Sequence, residues 1–138
     1  MNEILKKVEK ENVKYISLQF SDIMGLVKSV TIPAEELGRA LKEGIWFDGS
    51  SVEGFMRIHE SDMFLKPDPD TFAIIPWFSD ESGKIARLIC DVHTPKGTPF
   101  EGDPRYILKK VLRQATSSAL VLNQSSTYSS ERTELSHW

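Results

Sequence analysis

The stretch Trp46-Phe47-Asp48-Gly49-Ser50-Ser51-Val52-Glu53-Gly54-Phe55 holds the residues whose types and order could do chemistry. It is poor in helix formers and sets Asp48 directly before a glycine and two serines, with large aromatics on both sides. Glycine lets a backbone turn sharply, and Asp and Ser side chains fix such a turn by local hydrogen bonds. Aromatic anchors at both ends would present the acid rather than leave it mobile. The same composition also makes an ordinary polar surface loop pinned by its aromatics.

Other reactive groups are sparse. His59, His93 and His137 are far apart and show no metal-ligand spacing, so each reads as a structural or surface histidine. Cys90 stands alone, which rules out an internal disulfide and fits a reducing compartment. A chain of 138 residues is one domain's worth, and 40% hydrophobic with 27% charged residues is the composition of a soluble globular protein. The net charge of −3 argues against nucleic acid or an anionic membrane as partner. No apolar run approaches a membrane span and the first residues are too charged for a signal peptide, so the expectation is a cytoplasmic protein.

The elements that must position Asp48 follow from the pattern. Residues 3–11 read as a short helix with Ile4, Leu5 and Val8 on one face. Val13 to Phe20 alternates as a strand, with Ile16, Leu18 and Phe20 on one side and Val13, Tyr15 and Ser17 on the other. Ser21-Asp22-Ile23-Met24-Gly25 is a turn, and Leu26 to Ile32 is the returning strand of a hairpin. Pro33, Glu35 and Glu36 open a helix whose stripe is Leu37, Ala40 and Leu41 and which Gly44 ends. The Asp48 loop comes next, then His59 to Lys66 as a short strand and Pro67-Asp68-Pro69-Asp70 as a break. Thr71 to Trp77 is strongly apolar, with Ile74, Ile75 and Trp77 expected in the core. Lys84 to Val92 is another strand, with Ile85, Leu88, Ile89 and Cys90 expected inside. Asp103-Pro104 starts a helix that carries Ile107, Leu108, Val111 and Leu112. A hairpin, a helix and further strands make an α+β protein that resembles a β-grasp: a mixed sheet on one helix, flanked by terminal helices.

Phe47-Asp48-Gly49-Ser50-Ser51, followed at short range by Glu60-Ser61-Asp62-Met63, resembles the N-terminal domain of bacterial-type glutamine synthetase. Leu18-Gln19-Phe20-Ser21-Asp22, Val30-Thr31-Ile32-Pro33 and the run from Thr98 to Arg105 carry the same resemblance in order, from about residue 3 to about residue 113. It implies a β-grasp domain over residues 1–113 that closes the catalytic barrel of a neighbouring subunit in a homo-oligomer. In that family the residue matching Asp48 is implicated in binding ammonium and taking its proton before nitrogen attacks γ-glutamyl phosphate. Gly49, Ser50 and Ser51 would shape the loop, Phe55 would lie near the neighbour's nucleotide, and Arg57 matches a position implicated in glutamine sensing in some members. ATP and Mg2+ or Mn2+ are bound by the barrel, so no metal or cofactor is expected on this chain's own residues, and catalysis by it alone is not expected.

Past Arg113 the resemblance stops. Residues 114–138 are crowded with Ser and Thr, lack a turn glycine and have no clear period, so they read as a divergent, disordered tail. By resemblance a Gly-Pro-Glu-x-Glu-Phe strand with a metal-binding glutamate should stand here. The degenerate code permits Leu120 to Ser126 to be written so that the frame one base earlier reads Gly-Pro-Glu-Pro-Glu-Phe. A frameshifted, truncated enzyme is therefore one hypothesis, and a natural linker is the alternative. A gene with no synthetase barrel in another frame past codon 113 would end the first. A non-enzymatic β-grasp module that co-assembles with full-length glutamine synthetase is the second functional reading.

Overall fold

The computed structural model describes residues 2–52, 62–80 and 83–117. Helix α1 (Asn2–Lys10) forms where Ile4 and Val8 recur one turn apart, and both are buried. Glu3 in its first turn and Lys7 and Lys10 in its last suit the helix dipole. Strand β1 (Val13–Ser21) and strand β2 (Val27–Pro33) make the expected hairpin, registered from Tyr15↔Pro33 to Ser21↔Val27. Its tip is built by Asp22, a fully buried carboxylate whose Oδ1 accepts the N–H groups of Met24 (2.9 Å) and Leu26 (2.8 Å). A 3-10 turn (Ala34–Glu36) leads into α2 (Leu37–Glu43), which buries Leu37 and Ala40.

Gly44 ends α2 at φ 77°, and a Cβ there would meet the Phe64 ring at 2.7 Å and the Leu65 carbonyl at 2.9 Å. The chain turns there into β3 (Ile45–Asp48), a 3-10 turn (Gly49–Ser51), and later β4 (Asp62–Pro67). A third 3-10 turn (Pro69–Thr71) precedes β5 (Ala73–Asp80) and β6 (Gly83–His93). The sheet runs β2-β1-β6-β4-β3, with β5 also on β6. Among the described residues only β1 and β6 pair in parallel, and the other strand pairings are antiparallel. This is the β-grasp-like α+β arrangement read from the sequence.

Ile16, Leu18, Leu37, Met63, Leu65, Leu88 and Val92 are fully enclosed between sheet and helices. Burying each stabilises the fold by roughly 1.5–3 kcal/mol. Four expectations need correcting. Val13 joins the core beside Ile16, because a register irregularity between Val13 and Tyr15 interrupts the alternation along β1. Ile85 and Ile89 are only half-buried: β6 keeps strict period two, and Ala86, Leu88, Cys90 and Val92 take the core face. Trp77 is 77% exposed, since the β5–β6 register shifts after Ile75 and leaves Trp77 and Phe78 edge-on to each other off the regular ladder. Residues 45–48 are a strand rather than loop.

Asp103 starts the terminal helix as expected and is itself fully buried. Its Oδ1 accepts the Arg105 N–H and its Oδ2 the Val92 N–H, both at 3.0 Å, while burial pushes its carboxyl above the usual range. Arg105 bonds Asp68 and lies 3.4 Å from Asp91. The helix, α3, covers residues 104–117. Its residues from Ile107 onward belong to a compact unit separate from the one that ends at Tyr106.

Candidate functional site

Alternation along β3 decides what its residues can do. Ile45 and Phe47 point inward and pack on the core, with the Phe47 ring 4.9 Å from that of Phe20. Trp46 and Asp48 therefore share the opposite, exposed face. On that face Trp46 stands across from Phe64 (centroids 5.4 Å apart), and Phe64 across from His93 (5.2 Å, stacked). The aromatic rung steadies the short strand pair. On the same face, at the strand ends, Asp48 stands opposite Asp62, both exposed.

The backbone then turns through Gly49–Ser51. Asp48 caps that turn: its Oδ1 accepts the Ser50 N–H at 2.9 Å. The Val52 N–H returns to the Gly49 carbonyl (3.1 Å), and Val52 is buried in the core. The turn is thus tied down by Phe47 before it and Val52 after it. The Ser50 hydroxyl, then its N–H, hold the Asp48 carboxyl below the ordinary carboxylate range. The arrangement presents a negative charge to solvent on a stiff bend, able to hold a small cation and, once desolvated, to accept a proton.

Of the sequence-derived site residues, Asp48, Gly49, Ser50 and the Ser51 backbone come together in this turn. Phe55 and Arg57 lie outside the described residues. Asp62 was not singled out as a site residue, and finding it opposite Asp48 requires knowing that residues 45–48 are a strand. Among the described residues no three or more His, Cys, Asp or Glu converge as metal ligands. Cys90 is buried with its thiol pushed up to about 12, so it is not a nucleophile. A hollow of about 550 Å3 lined by Lys14, Tyr15, Glu35, Phe78 and Lys84 shares no residue with the Asp48 turn.

The family model for the glutamine synthetase β-grasp domain matches residues 12–95 of this chain. Glutamine synthetase of Staphylococcus aureus (strain MW2) is 55% identical over 113 residues, which are 82% of this chain and 25% of the relative. That of Staphylococcus epidermidis is 56% identical over the same length and shares. The chain thus spans about a quarter of the length of the curated relatives it matches. Among solved structures, the GmaS/ADP complex superposes with a TM-score of 0.74 at 26% identity, over 86% of this chain and 26% of that one. Plasmodium falciparum glutamine synthetase, solved by cryo-EM, gives a TM-score of 0.75 at 22% identity over 85% of this chain and 22% of its own, a likeness of fold alone.

Proposed function

The chain belongs to the glutamine synthetase β-grasp domain family, and from that premise we propose that it is the N-terminal domain of a glutamine synthetase. Its part in joining glutamate and ammonia at the expense of ATP is to complete a neighbouring subunit's ammonium site with Asp48. The observation that carries this reading is the Asp48 carboxylate, exposed on a turn anchored at both ends and held by Ser50 below the ordinary carboxylate range. Ionisation in the lone chain favours holding the cation. Docking against another subunit would exclude water, strengthen the attraction for ammonium and raise the carboxylate's proton affinity, the direction that proton transfer needs.

In this reading Gly49, Ser50 and Ser51 shape the presenting turn, Phe55 lies towards the neighbour's nucleotide, and Arg57 is a regulatory position. The donor groups of the described residues do not converge as a metal site. ATP and Mg2+ or Mn2+ belong to the three quarters of the relatives that this chain does not match, and the partners are other glutamine synthetase subunits, in the cytoplasm. No described helix is long and apolar enough to cross a membrane. We assign the family domain to residues 1–113 and the divergent tail to 114–138; the 113-residue match supports that size.

In this reading the metal and phosphate groups that stabilise phosphoryl transfer lie outside these 138 residues. The purified 138 residues are expected to form no glutamine from glutamate, ammonia and ATP. ATP-dependent turnover by that preparation would overturn the reading. A second reading, a non-enzymatic module that binds the full-length enzyme, is favoured by the exposure of Trp46 (59%) and Trp77 (77%). A pull-down with intact enzyme that recovers no complex would remove it.

A further inference from the structure

β2 and β3 are the two ends of the strand path β2-β1-β6-β4-β3. β3 guards its edge by being only four residues long and by closing on Asp48. β2 is seven residues long, pairs only with β1 among the described residues, and carries one charged side chain, Lys28. A charge standing out from an edge strand keeps other strands away. Lys28 is drawn back instead, with its Nζ 3.7 Å from the buried Asp22 carboxylate. The hairpin decides which backbone groups this edge offers. The Asp22 N–H donates to the Leu26 carbonyl at 3.0 Å, and bonded and non-bonded pairs alternate along an antiparallel ladder. Lys28, Val30 and Ile32 therefore turn their N–H and C=O groups to β1, while Val27, Ser29 and Thr31 turn theirs outward. Pro33, which has no N–H to give, falls in the outward set, as this parity requires.

Val27, Ser29 and Thr31 are all exposed, and Val27 and the adjoining Leu26 are 65% and 56% exposed. A row of outward N–H and C=O groups is a template for another strand, and this one complements a copy of itself. Set antiparallel about Ser29, Val27 stands opposite the second copy's Thr31, Lys28 opposite its Val30 and Leu26 opposite its Ile32. No like charges meet, and each outward residue exchanges both of its hydrogen bonds. Centring the pair on Val30 would set Val27 against Pro33 and leave the Val27 carbonyl without a donor. We propose that β2 is a self-association edge, through which two copies of this chain join antiparallel about a two-fold axis at Ser29 into one continuous sheet. The two Asp48 turns, on β3 at the other end of each strand path, stay free. The interface is thus independent of the functional reading above.

Sedimentation equilibrium of the 138-residue chain over a concentration series is the test. The parent is expected to pass from monomer to dimer, with amide exchange at Val27, Ser29 and Thr31 slowing as the dimer fills. Val27→Lys/Thr31→Lys opposes like charges across the axis and should weaken the dimer at least ~10-fold at low salt, and less at high salt. Val27→Lys/Thr31→Glu opposes unlike charges in the same pairs and should associate about as well as the parent. Ser29→Pro removes an outward N–H, spares the β1 ladder and should weaken the dimer too. All three positions are exposed, and circular dichroism of each variant checks that the fold is kept. A parent that stays monomeric throughout, or that dimerises without protecting those amides, would overturn the proposal. So would equal association of the Lys/Lys and Lys/Glu variants, which would put the contact in another register or on another face.

Discussion

Asp48 closes β3 directly opposite Asp62 of β4, and both residues are exposed. Like charges at opposed positions on neighbouring strands repel. The end of this strand pair is therefore negatively charged and open to solvent. The Asp48 turn is stiff because its carboxylate is already tied to Ser50, leaving little to organise when a partner arrives.

That tie sets the titration of Asp48. Its pKa is lowered, first by the Ser50 hydroxyl and then by the Ser50 N–H. A lowered carboxylate contributes stability that is present above its unfolded pKa and is lost as pH falls through its folded value. Carbon-detected NMR titration should place Asp48 below an ordinary aspartate. Ser50→Ala, which keeps the N–H and removes the hydroxyl, should move it part of the way back up. An unchanged titration in Ser50→Ala would show that the hydroxyl has no hold on the acid.

Asp103 has the opposite sign. Burial raises its pKa, so the folded state binds its proton more tightly than the unfolded chain does, and stability falls as pH rises from the unfolded value through the folded one. Asp103→Asn should abolish that part of the pH dependence. Asp103→Ala removes the cap and leaves the buried Val92 N–H without its acceptor. It should cost about 2–4 kcal/mol, read as a lower urea midpoint.

Two glycines of positive φ differ in what an added side chain would meet. Gly25 (φ 82°) has nothing within 4 Å of an added Cβ, whereas Gly44 (φ 77°) has the Phe64 ring at 2.7 Å. Gly25→Ala should cost about 1–2 kcal/mol, the penalty of a left-handed residue. Gly44→Ala should cost a further ~1–3 kcal/mol, because its φ of 77° with ψ of 178° suits only glycine and because the added Cβ is overpacked against Phe64 and Leu65. Equal losses in denaturant titrations would contradict the close approach at the entry to β3.

The hairpin, α2, the Pro67–Asp70 break and the Asp103-Pro104 helix start were legible because each is written locally, in alternation, caps and turn residues. What was not legible depends on neighbours distant in sequence. Ile45–Asp48 is too short for periodicity and becomes a strand only by pairing with β4. Hydrophobicity favours Ile85 over Ala86, yet the buried face of β6 takes Ala86. Trp77 reads as core until the β5–β6 register shift strands it outside. The Asp48 turn could be read from composition. The facing Asp62 could not, since register is a property of two strands.

The most direct test of the account uses a Staphylococcus aureus glutamine synthetase whose own residue aligned with Asp48 is set to asparagine, co-expressed with this chain. Ammonia-dependent glutamine formation by the purified assembly is the measurement. Loss of an acid–base group typically costs ~10²–10⁴-fold, so incorporation of the parent chain should restore activity at least ~10-fold, and the Asp48→Asn chain, incorporated equally, should restore none. Equal rescue by both chains, or incorporation of the parent without rescue, would contradict it.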